Sequence, residues 1–140
     1  MKPSTKLFYT ALCVGIAVLA FTGIGVFAFG KPPMTHWVLL AHVTAAPIFA
    51  VALALVALAW LDFHRPKAAA QPPYAAKALF WLVLICGLLA ALSGVVPMTP
   101  IFGTDGEHAL YLTHRYAGIA AAAALVVHVI LVVGSRGSRP

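Results

Sequence analysis

Four long stretches of this chain are apolar on every side, and short polar segments rich in proline and glycine separate them. The runs cover residues 7–29, 37–61, 78–96 and 109–133. Each can cross a hydrocarbon core of about 30 Å, which takes about 20 helical residues. In lipid the backbone must satisfy its own polar groups, which leaves helices or a closed barrel. Barrel strands alternate apolar and polar positions, and these runs do not. The pattern predicts an all-α, integral membrane four-helix bundle that occupies residues 1–140 as a single transmembrane domain.

The breaks between runs carry the expected punctuation: Gly30-Lys31-Pro32-Pro33, then Arg65-Pro66-Lys67 with Gln71-Pro72-Pro73, then Pro97-Met98-Thr99-Pro100 with Gly103 and Gly106. Short links make neighbouring helices antiparallel and leave no room for a separate catalytic domain. Any chemistry must sit between the helices. The first run follows Lys2 and Lys6 as a signal peptide would, but its 23 residues exceed a secretory apolar region of about 7–15. It is expected to remain as the first helix.

Composition agrees: 63% of residues are hydrophobic and 9% charged, against about a quarter charged in soluble domains. Charge placement then sets an orientation. Lys2, Lys6, Arg65, Lys67, Lys77, Arg136 and Arg139 fall at one end of the helices, and of the nine basic residues only Lys31 and Arg115 lie at the other. The positive-inside rule makes both termini cytoplasmic and turns the links with Lys31 and with Asp105-Gly106-Glu107 outward. The net charge of +6 thus reflects topology and contact with anionic lipid. No basic run interleaved with aromatics points to nucleic acid.

Within so apolar a chain the histidines stand out, because an ionisable residue in hydrocarbon is a functional-site hypothesis by default. His42 and His114 each lie about five residues into a run that enters from the outer side, near 8 Å below the boundary at about 1.5 Å per residue. A porphyrin between two such helices would receive one imidazole on each axial side, and histidine is an established axial ligand of haem iron. His114 and His128 are separated by 14 residues, about 1400° of rotation and about 21 Å of rise. They point to the same side, which would place two stacked haems. Cys-x-x-Cys-His is absent, excluding covalent c-type haem, and Cys13 and Cys86 read as small buried hydrophobes. Zinc-protease, phosphate-loop and nucleophile-elbow signatures are absent as well.

The fourth run, from His114-Arg115-Tyr116 to Val126-Val127-His128, together with His42, resembles the small membrane-bound b-type cytochrome subunits of nickel-iron hydrogenases and formate dehydrogenases. The resemblance extends to the four-helix layout and most of the chain. It implies that His42 and His114 hold an outer haem b and that His128 ligates an inner one. It also implies electron transfer between membrane quinone or quinol and a peripheral redox subunit on the outer face, an iron-sulfur or multihaem c-type protein. The bacterial cytoplasmic membrane is the implied location.

One departure concerns the second inner ligand, which that family takes from its first helix. The first run here contains no histidine. His64 shares nearly the same helical face as His42, but its 22-residue spacing is about 33 Å of rise against about 21 Å from His114 to His128. Several routes stay open: a kink at Pro47 or the Arg65-Pro66 break brings His64 inward, another chain supplies the ligand, or His128 holds no haem.

Other residues fit a cofactor less specifically. Gly15, Gly23, Gly87, Gly94 and Gly118 allow close approach of flat groups, or simply of helices. Arg115 stands where haem propionates would emerge and either pairs a carboxylate or snorkels to lipid phosphate. His36 and His108 are interfacial, Asp62 and His64 are candidates for proton relay to a quinone, and Trp37, Trp60, Trp81 and Tyr111 form an aromatic belt. The competing class is a small transporter or proton-conducting protein whose intramembrane histidines carry protons or a metal in transit. It predicts a polar path through mid-membrane, for which Thr44 and Ser93 are too sparse. A cofactor-free anchor is the third reading.

Overall fold

The computed structural model describes residues 3–29, 34–63, 74–99 and 101–137. Four helices follow one another: α1 (Pro3–Phe29), α2 (His36–Phe63), α3 (Tyr74–Val95) and α4 (Thr104–Gly137). No strand occurs among the described residues. All four helices are long and apolar enough to span a membrane, over Lys6–Phe29, His36–Ala59, Tyr74–Met98 and Thr104–Gly134. The helices overrun the apolar stretches, most visibly where α4 begins at Thr104 rather than 109. Asp105, Gly106 and Glu107 therefore belong to its first turn and not to a link. Two carboxylates at a helix N-terminus oppose the positive end of the helix dipole, which explains why the helix starts so early.

α3 ends where Pro97 enters a single 3-10 turn, Val96–Met98, and Thr99 closes it by donating its hydroxyl to the Val96 carbonyl at 2.7 Å. Pro47 lies inside α2, which continues as helix on both sides of it. His64, Lys31, Arg65-Pro66-Lys67 and Gln71-Pro72-Pro73 lie outside the described residues.

Tight packing joins α1 to α2 and α3 to α4, and the two hairpins meet along α1–α4 and α2–α3. No Cα of α2 comes within 8 Å of one in α4 among the described residues, and the same holds for α1 and α3. The helices thus form a four-cornered bundle in chain order, with α2 and α4 on one diagonal. One pole carries the first residues of α1 and the last of α4, and is here the terminal pole; the 3-10 turn marks the opposite, loop pole.

Packing differs between the two halves. Toward the terminal pole, Leu12, Ile16, Leu53, Val56, Phe80, Val83, Leu84, Ala124 and Leu125 form one buried cluster. Phe49 caps it near mid-length. A β-carbon on Gly15 of α1 would lie 3.2 Å from the Phe49 Cβ, and one on Gly87 of α3 would lie 3.0 Å from its Cζ. The absence of those two side chains lets the phenyl ring reach across the bundle. Toward the loop pole the buried residues are small: Thr22, Ala90, Ser93 and Ala117.

Candidate haem site

Two imidazoles cross that half from opposite corners. His42 on α2 and His114 on α4 have ring centres 6.1 Å apart and planes inclined at 69°. Each ring is half-buried, and each is anchored through the same nitrogen. The Thr22 hydroxyl donates back along α1 to the carbonyls of Val18 at 2.7 Å and Leu19 at 3.2 Å, which uses its single proton. Its oxygen stands 2.8 Å from His42 Nδ1 and is left to accept the Nδ1–H. His114 Nδ1 stands 2.7 Å from the Ala90 carbonyl on α3, to which it can only donate. That carbonyl also receives Ser93 Oγ at 3.2 Å. Both rings therefore present Nε2 as the free lone pair.

Two glycines complete the geometry. A β-carbon on Gly94 would meet the His114 ring at 3.0–3.1 Å, and one on Gly23 would stand 3.6 Å from His42 Cε1. Gly15 and Gly87 serve helix packing instead, through Phe49, and nothing stands within 4 Å of a β-carbon on Gly118. The five glycines thus divide into site, packing and neutral positions.

His128 sits apart in the terminal half, 4% exposed. Its Nδ1 donates to the Ala76 carbonyl of α3 at 2.8 Å. The Phe80 ring lies 5.8 Å from it and the Tyr9 ring 6.2 Å, centre to centre. No other histidine faces it among the described residues. The structure brings His42 and His114 together and leaves His128 without a histidine opposite.

Comparison with known families settles the class: the description prokaryotic cytochrome b561 matches residues 2–136. The chain belongs to the prokaryotic cytochrome b561 family. No match is found among curated proteins or among solved structures. As a member of this cytochrome b561 family, the protein is a haem b-binding, electron-transferring component of the bacterial inner membrane.

The residues present fit a b-type haem. Two imidazoles ligating one ion from opposite sides, with metal–nitrogen bonds of about 2.0 Å, have ring centres roughly 6 Å apart. The 6.1 Å observed in this cytochrome b561 matches that requirement. Ligating histidines almost always donate their other nitrogen to an oxygen, which fixes tautomer and orientation. Thr22 and the Ala90 carbonyl would supply that contact to His42 and His114. Among the described residues no cluster of three or more His, Cys, Asp or Glu forms a cage for a metal ion, so the candidate site is a pair.

Arg115 follows His114 on α4. Its guanidinium carbon lies 3.7 Å from the centre of the Phe27 ring of α1 and 5.4 Å from that of Tyr116, and its Nε is buried without a hydrogen-bond partner. A stacked cation with one unpaired donor suits a carboxylate. His36 and His108 are exposed near the loop pole, as are Trp37 and Tyr111. Sequence reading passed over Thr22, the Ala90 carbonyl and Tyr9. Depth alone could have found Thr22, since it lies within one residue of the same distance from the end of α1 as His42 lies from the start of α2.

Proposed function

We propose that His42 and His114 are the axial ligands of one haem b, and that the protein passes electrons between membrane quinone and a peripheral redox subunit at the loop pole. The observation that carries this reading is the shared tautomer: two imidazoles from diagonal helices, both tied through Nδ1, face one space with Nε2 free. When bound, haem supplies a one-electron iron couple. The chain's own residues orient the ligands, exclude water with their apolar shell and set the surroundings that tune the potential.

Arg115, the residue after His114, is assigned to a propionate because its Nε is buried without a hydrogen-bond partner. The asymmetry of basic residues puts the terminal pole in the cytoplasm. The loop pole, and with it the His42–His114 pair, then faces outward, within reach of an iron-sulfur or multihaem partner. Asp62, in the last turn of α2, falls at the opposite end, where proton exchange with a quinone would meet cytoplasmic water, and His64 follows it in the sequence.

A reduced-minus-oxidised absorption spectrum of the detergent-purified protein tests the assignment. A b-type band is expected, lost in His114→Ala while the variant stays folded and membrane-inserted. A full band in that folded variant removes His114 as a ligand and overturns the reading.

A further inference from the structure

We infer that this chain holds a single haem, in the loop half, and that its terminal half around His128 is a closed hydrocarbon core with no room for a second. The inference rests on the proposed reading of His42 and His114 as haem ligands.

The two halves differ in what fills them. Around the His42–His114 pair the buried residues are Thr22, Ala90, Ser93 and Ala117, none larger than threonine. No large buried side chain occupies the space between the helices there. Around His128 the buried residues include large ones beside Ala76 and Ala124: Phe80, Leu12 and Val83 are the largest fully buried side chains among the described residues. Phe49 bridges from Gly15 to Gly87 and separates the two halves. A planar macrocycle in the loop half displaces no large fully buried side chain. In the terminal half it would have to displace several, each costing several kcal/mol of packing.

The surroundings of the His128 ring give independent support. A haem ligand presents its free nitrogen to an open face. His128 has two aromatic rings close by, Phe80 at 5.8 Å and Tyr9 at 6.2 Å, and is 4% exposed. The Tyr9 ring belongs to α1, the helix from which a second ligand would have to come, and α1 contains no histidine. α2 offers none either. Counted from His42, the position level with His128, 14 residues or about 21 Å into the bundle, is Val56, and α2 stays helical through Phe63, about 11 Å deeper. His128 acts instead as a tie: its Nδ1–H to the Ala76 carbonyl fastens α4 to α3 inside the apolar core.

Haem per chain decides it. The full-length protein, purified in detergent, is assayed by pyridine haemochrome and titrated potentiometrically, alongside His128→Gln and His128→Leu. The glutamine amide can still donate to Ala76 but cannot take the place of an iron-ligating imidazole. One haem per chain, a single one-electron wave and unchanged stoichiometry in whichever His128 variant folds are expected. Two haems in the wild type overturn the inference, and this arm needs no variant. Halved haem in a folded His128 variant overturns it too, as does one haem that survives His114→Ala but not His128→Gln. No haem in folded wild type overturns both this inference and the function on which it rests, which separates the two failures.

Discussion

His42 and His114 have ring centres 6.1 Å apart although no Cα of α2 comes within 8 Å of one in α4. The diagonal of the bundle is therefore bridged at this level by side chains that reach across it. Each ring is held from a different hairpin partner, His42 by Thr22 of α1 and His114 by Ala90 of α3. A ligand gripping both imidazoles couples the two hairpins.

Removing one ring should open a defined hole. His42→Ala leaves the Thr22 oxygen as a vacant acceptor and free space beside Gly23, where a β-carbon would stand 3.6 Å from the lost imidazole. The variant is expected to lose the absorption of a six-coordinate low-spin haem. Millimolar imidazole added to it should restore that spectrum, whereas the same addition to wild type changes nothing. Failure of rescue at every imidazole concentration would speak against an axial role for His42.

Thr22 is predicted to act through His42. Thr22→Val keeps the shape and deletes the oxygen that accepts His42 Nδ1–H. Loss of such an outer contact typically lowers metal affinity about 10–100-fold. Faster haem loss and a shifted midpoint potential are expected, with Thr22→Ser returning both toward wild type. A purely structural role would alter thermal stability but leave the potential of the haem-loaded fraction unmoved.

Two glycines on different helices make a matched pair. A methyl group at Gly94 would sit 3.0 Å from His114 Nδ1 and must push the ring off the Ala90 carbonyl, while one at Gly118 meets nothing within 4 Å. Gly94→Ala should reduce haem content and shift the absorption maximum. Gly118→Ala should leave both unchanged, or stabilise α4 slightly, since alanine is about 1 kcal/mol the better helix former. Equal spectra for the two proteins would show that the His114 ring tolerates displacement.

The apolar runs made all four helices legible, because a 20-residue hydrocarbon span has few alternatives. Helix ends were less legible: Asp105 and Glu107 read as link residues by polarity but serve the first turn of α4. His42 and His114 could be paired from depth, since both helices start at the same pole and rise per residue is fixed. What depth cannot supply is the angular relation between helices. The Thr22 contact, the split of the glycines into site and packing positions, and the aromatic neighbours of His128 all depend on it. Depth gives Arg115 its level beside His114 but not the ring under its guanidinium, which belongs to α1, nearly 90 residues earlier in the chain at Phe27.

Arg115 separates two chemistries that share a location. If its guanidinium pairs a haem propionate, the charge-assisted hydrogen bond is worth about 1.5–3 kcal/mol. Arg115→Gln should then speed haem transfer to an apoprotein acceptor by roughly ten- to a hundredfold, since 1.4 kcal/mol is about a factor of ten. It should also lower the midpoint potential, because removing a nearby positive charge makes the ferric state easier to hold. Arg115→Lys should recover the potential more fully than the retention rate, since lysine restores the charge but not the planar fork. If the side chain only reaches lipid phosphate, haem retention and potential stay at wild-type values in both variants, and binding to anionic vesicles weakens instead. Phe27→Ala gives a further control: the ring 3.7 Å from the guanidinium carbon fixes the cation's position but bears no charge. Its loss should loosen haem retention less than Arg115→Gln does and should barely move the potential.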